Sequence, residues 1–169
     1  MSGRRLITLC LYLVLVSFFS VLVFAGSPER EAAPRFRAKT MEGQQYNNES
    51  LKGKVVLLEF WTTWCQYCRA EEELVNQVHD EFASKGLVVL AIDVGESKKT
   101  VKKYLVENKR TCPIVLTEDT NLAAMYQATS YPIYVVIDRE GNIVGTQRGA
   151  AGERALRRLL SRAGVESDE

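Results

Sequence analysis

VVLLEFWTTWCQYCR, Val55–Arg69, begins as one kind of element and ends as another. Val55–Phe60 is an apolar run with a branched bias, interrupted by Glu59, and reads as a short buried strand. After the second cysteine, Arg69-Ala70-Glu71-Glu72-Glu73-Leu74 is a run of good helix formers. A strand that turns straight into a helix sets Cys65 at the helix N-terminus. There, free backbone N–H groups and the helix dipole favour a thiolate over a thiol. With two residues between Cys65 and Cys68, one helical turn brings both sulfurs together, so a disulfide can open and close while the fold stays put. The pattern is that of a redox site.

CxxC has other uses. Structural zinc needs four Cys or His ligands, and the chain offers Cys10, Cys65, Cys68, Cys112 and His79 with no second paired motif. A static disulfide suits an exported domain. The aromatic lead-in Phe60-Trp61-Thr62-Thr63-Trp64 argues against both. The signature FWxxWCxxC resembles the active site of the thioredoxin superfamily, most closely the membrane-anchored thiol–disulfide oxidoreductases of the TlpA/ResA type. The segments "LKGKVVLLEFW", "AIDVGESKKTVKKY" and "YPIYVVIDREGNIV" extend that resemblance over roughly residues 34–163.

The resemblance implies an α/β, thioredoxin-like fold: a central mixed sheet flanked by helices, with an N-terminal β-hairpin extension and one preceding transmembrane helix. Cys65, first in the motif and nearest the helix terminus, is the expected attacking thiolate, and Cys68 the resolving thiol. Glu59, six residues before Cys65, matches the family's buried carboxylate; its other reading is a salt-bridged edge residue. Glu71, one turn after Cys68, matches an acidic position of ResA-like proteins; its other reading is a solvated helix start. Pro132 stands in the family's cis-proline context, which would open the Tyr131 backbone to an extended substrate. Trp64, Gln66 and Tyr67 complete the expected substrate-contacting set. Two departures are visible: Tyr67 stands where relatives carry proline, and Tyr131 is bulkier than the family's usual residue.

The chain has 169 residues with 22 basic and 21 acidic side chains, so no nucleic-acid surface is implied. Leu6–Ala25 is an uncharged apolar run behind Arg4 and Arg5, long enough to span a bilayer, with the domain placed outside the cytoplasm. Cleavage after Ala25 would instead release a secreted domain. The expected organisation is an anchor or signal at 1–26, a linker at 27–33, the domain at 34–165 and a tail at 166–169.

Within the domain, Pro34–Thr40 and Gln45-Tyr46 read as a hairpin. Leu74, Val75, Val78 and Phe82 form a helical stripe ended by Gly86, with His79 at its edge. Leu87–Val94 reads as a strand parallel to the first, followed by a helix over Lys98–Asn108 whose four lysines, Lys98, Lys99, Lys102 and Lys103, read as a solvated face. A short strand at Ile114–Leu116, a short helix at Asp119–Tyr126, a hairpin of Ile133–Ile137 with Ile143–Gln147, and a helix over Gly152–Ala163 close the domain. Cys112 reads as a small hydrophobe at a strand start, with a Cys112–Cys112 dimer and a catalytic third cysteine as its alternatives.

The expected activity is reduction of disulfides in other proteins, with a role in cytochrome maturation among those of similar proteins. No cofactor or metal is implied, and a membrane or extracytoplasmic redox partner is expected to recycle the dithiol. A disulfide-forming oxidant and a metal-binding chaperone on the same fold are the rival readings.

Overall fold

The computed structural model describes residues 30–166. The expected membrane span at residues 6–25 lies outside that range; among the described residues no helix is long and apolar enough to cross a membrane.

The strands are β1 (Arg37–Thr40), β2 (Gln45–Asn47), β3 (Val55–Trp61), β4 (Leu87–Asp93), β5 (Ile114–Thr120), β6 (Ile133–Ile137) and β7 (Ile143–Arg148). The helices are α1 (Gln66–Phe82), α2 (Lys98–Glu107), α3 (Leu122–Met125) and α4 (Gly152–Arg162), with one 3₁₀ turn at Ala83–Lys85. All strands join one sheet in the order β2-β1-β5-β4-β3-β6-β7. β3, β4 and β5 run parallel, and the hairpins β1–β2 and β6–β7 flank them antiparallel. The thioredoxin-like α/β architecture and its N-terminal hairpin are therefore present.

β3 is buried at every position. Its odd residues Val55, Leu57 and Trp61 pack with Val75, Val78 and Phe82 of α1 and Leu156, Leu159 and Leu160 of α4. Its even residues Val56, Leu58 and Phe60 pack on the other face with Leu122 of α3 and with Phe36 and Leu51 from the N-terminal region. Burial on both faces explains the continuous apolar run.

Two elements differ from expectation. β5 extends to Thr120, and α3 shrinks to Leu122–Met125, where the sequence predicts a strand of three residues and a longer helix. The extension forms because Thr120 pairs with Ala38 of β1, and Thr120 Oγ1 then accepts from Leu122 N at 3.2 Å to start the helix. Local pattern at Thr117–Thr120 carries no trace of a partner strand far away in sequence.

Residues 30–33, within the expected linker, lie against the β6–β7 turn. Ala32 bridges Asn142, Ile143 N donates to Glu31 O at 2.7 Å, and Arg30 Nη1 lies 2.9 Å from Asp138 Oδ2. Asp138 Oδ1 accepts from Glu140 N and Asn142 N at 3.1 and 2.8 Å. Burial raises the Asp138 carboxyl, but the Asn142 N–H, the Arg30 guanidinium and the Glu140 N–H outweigh it and hold it below its ordinary value. Asp138→Ala should lower stability by about 2 kcal/mol at pH 7, read from the urea midpoint. Because the folded-state pKa is depressed, the difference from wild type should shrink as pH falls below about 4.

Candidate active site

β3 ends at Trp61, and residues 62–65 form a turn closed by Cys65 N donating to Thr62 O at 3.3 Å. Cys65 is the N-cap of α1, in extended conformation, and its Sγ accepts from Cys68 N at 3.1 Å. A sulfur thus occupies the place a serine or aspartate oxygen takes at an ordinary N-cap, where the helix dipole and an N–H both favour negative charge. Cys65 and Cys68 are joined as a disulfide with Cα atoms 5.3 Å apart. Cys65 retains 6% exposure and Cys68 1%, so Cys65 is the more accessible of the two.

An aromatic rim surrounds them. Trp64 is 66% exposed and Tyr67 59%, while Gln66 lies exposed between the cysteines. Trp64 stands edge-on to Tyr131 with ring centroids 5.9 Å apart, and Tyr131 Oη donates to Ala128 O at 3.1 Å. The Tyr131–Pro132 bond is cis, and Pro132 is buried.

Buried charge lies on the same face of the sheet as the disulfide. Glu59 is fully buried on the α1 face of β3, and Arg110 Nη2 donates to its Oε2 at 2.8 Å with the arginine side chain only 1% exposed. Both readings of Glu59 from sequence meet here, except that the pair sits mid-sheet instead of at an edge. The guanidinium carbon lies 4.5 Å from the Trp61 ring centroid. Burial pushes Glu59 up to about 7 against the pull of Arg110. Among the described residues, Glu59 Oε1 and Arg110 Nε and Nη1 have no hydrogen-bond partner.

Glu71 is buried rather than solvated. Its carboxylate accepts from Tyr134 Oη at 2.9 Å, from Ala151 N at 3.0 Å and from Gly152 N. It therefore ties the turn after Cys68 to β6 and caps α4 from a distance. Tyr134 is also the cross-strand partner of Glu59, which places both carboxylates around one tyrosine.

Sequence reading missed Arg110, Tyr134, Asp93 and Glu96. Asp93 at the end of β4 is fully buried, and burial, followed by the neighbouring Glu96 carboxylate, pushes it up to about 7. A carboxylate in an apolar strand calls for a cation, so Glu59 carried a usable signal, though not one that selects Arg110. Cys112 is buried as expected, and burial raises its thiol to about 12, leaving it protonated and unreactive at neutral pH.

Removing one half of the buried pair should be costly. Arg110→Met leaves Glu59 uncompensated and should lose about 3–5 kcal/mol at pH 8 by urea unfolding. A folded-state carboxyl pKa above its unfolded value disfavours folding as pH rises through that range, so the deficit should narrow toward pH 5, where Glu59 takes a proton. Glu59→Leu/Arg110→Met should recover most of the loss.

Comparison with known proteins agrees with this geometry. Residues 30–146 match the AhpC/TSA family. The thiol-disulfide oxidoreductase ResA of Bacillus subtilis is 33% identical over 137 residues, covering 79% of this chain and 76% of that protein. ResA of Bacillus cereus is 30% identical over 112 residues, 66% of this chain and 65% of the relative's length. Among solved structures, a thiol:disulfide interchange protein of the thioredoxin family from Chlorobium tepidum superposes with a TM-score of 0.71 at 29% identity, covering 82% of this chain and 99% of that one. With a family match over well more than half its length and a dithiol at the head of α1, the chain belongs to the AhpC/TSA family, among the thioredoxin-like relatives of the ResA thiol–disulfide oxidoreductases.

Proposed function

We propose that this protein reduces disulfides in other proteins outside the cytoplasm, held to the membrane by residues 6–25. The observation that carries the chemistry is the capping of α1 by Cys65 Sγ, with Cys68 one turn inward. In the reduced protein the Cys65 thiolate attacks one sulfur of a substrate disulfide, that S–S bond breaks, and the leaving thiolate takes a proton. The Cys68 thiolate then attacks Cys65 Sγ and expels the second substrate thiol. The substrate gains two electrons, and the protein ends with the Cys65–Cys68 disulfide.

The direction of transfer follows from what stabilises the thiolate. The helix terminus and one N–H favour it, but Gln66 and Tyr67 add no positive charge between the cysteines. A dithiol that is not strongly stabilised gives up its electrons readily, which favours a reductant over an oxidant. A dithiol donor in the membrane or beyond it must then restore the reduced state. Disulfides that arise during cytochrome maturation fall within this substrate class. Glu71, one turn after Cys68, and Glu59, joined to it through Tyr134, are assigned to tuning the site.

Cys68→Ser should accumulate mixed disulfides with substrate through Cys65, visible on non-reducing gels, and Cys65→Ser should not. Equal adducts from both variants would reverse the assignment. The full chain should remain with membranes after carbonate extraction; a soluble form beginning at Gly26 would show a cleaved signal instead.

A further inference from the structure

We propose that Glu96 is a positioning residue for Cys65, gripping the active-site turn through Thr63. The inference rests on Cys65 being the attacking thiol and adds a residue that the dithiol chemistry alone does not require.

The parallel strands β3 and β4 end level, with Trp61 paired to Asp93 and Val94 N donating to Trp61 O at 3.0 Å. Past that point, among the described residues, no ladder holds the chain between Trp61 and the first turn of α1. Glu96 takes over there. Its Oε2 accepts from Thr63 N at 2.6 Å and its Oε1 from Thr63 Oγ1 at 2.7 Å. Both oxygens of one carboxylate are thus committed to a residue two positions before Cys65, from a segment 33 positions away. Charge-assisted, two-point hydrogen bonds of this kind fix direction as well as distance.

The gripping residue is itself anchored. Glu96 N donates to Asp93 Oδ1 at 3.2 Å, Gly95 N donates to Thr117 Oγ1 at 3.1 Å, and that hydroxyl donates to Asp93 O at 2.7 Å. Ser97 then caps α2 by accepting from Thr100 N at 3.2 Å. The 94–97 loop is therefore bound to β4, β5 and α2, and Glu96 transmits that rigidity to the turn carrying Cys65.

A carboxylate near a thiolate opposes its charge, so the acid is not suited to activating Cys65 electrostatically. Its two acceptors suit geometry: the Cys65 sulfur benefits from the helix terminus only while it is held in the N-cap position.

The test uses the reduced full-length protein, a small aromatic disulfide as probe, stopped-flow rates, and mass spectrometry to identify the cysteine that reacts first. Glu96→Ala should slow attack by about tenfold, and Glu96→Gln, which keeps one acceptor, should stay within about threefold of wild type. Thr63→Val, which retains the backbone N–H but loses the hydroxyl, should fall between them and serves if Glu96→Ala folds poorly. Wild-type rates in Glu96→Ala and Thr63→Val, or a Glu96→Gln as slow as Glu96→Ala, would overturn the inference. First labelling at Cys68 in the wild-type protein would instead overturn the nucleophile assignment, and the inference with it.

Discussion

Burial of β3 on both faces is the constraint from which the site follows. A strand paired on each side and covered by helices above and below can expose chemistry only at its ends. Its carboxyl end passes through the turn at residues 62–65 into α1, where that turn meets the helix terminus. Cys65 stands there. Because β4 returns parallel and ends level with β3, the loop after β4 is brought beside the same spot, and Glu96 meets Thr63. The strand fixes the location, the helix supplies the electrostatics, and the neighbouring loop supplies restraint.

The same thiol chemistry is sorted by position. Cys112 sits at the start of β5 in the core shared with Trp61 and Leu116, where burial suppresses its thiolate. Cys65 sits where helix and N–H favour the thiolate, and Cys68 lies one turn inward and nearly inaccessible. Glu59 and Asp93 show the carboxyl counterpart. Taken out of water, both hold protons up to about neutral pH, although one has an arginine beside it and the other a second acid. Only Glu59 has a cation to favour its ionised form; beside Asp93 the Glu96 carboxylate adds to burial in favouring the proton.

Much of this was legible in the sequence because its signals are local. The branched run before the CxxC, Gly86 after the Phe82 stripe, and the Asp138–Asn142 turn each announce an element from a few adjacent residues. The central strand, α1, α4 and the β6–β7 hairpin came out accordingly. The extension of β5 did not, since it depends on pairing with β1, and Arg110 did not, since several cations could have met Glu59. Glu71 was placed on the right face of α1, but its bonds to Ala151 and Gly152 arise from the packing of α4. Glu96 carries no local signal of its contact with Thr63, and only the level ends of β3 and β4 reveal what it holds.

The rim obeys a different logic from the interior. Trp61 and Tyr134 already fill the core that holds both cysteines, so Trp64 and Tyr67 add nothing to it and leave large apolar surfaces in water. Exposed aromatic area forfeits about 25 cal/mol for each Å² that could have been buried. Under the proposed function, that loss would be recovered when a substrate protein covers the rings, and covering them would also exclude water from the exchanging sulfurs. The contact must stay small, because a substrate reduced by the second cysteine has to leave before the next can enter. Trp64, braced against Tyr131, and Tyr67 form the surface that the proposed substrate would meet beside the outer sulfur. On the proposed function, recognition is thereby kept at the surface, apart from the buried Glu59–Arg110 pair.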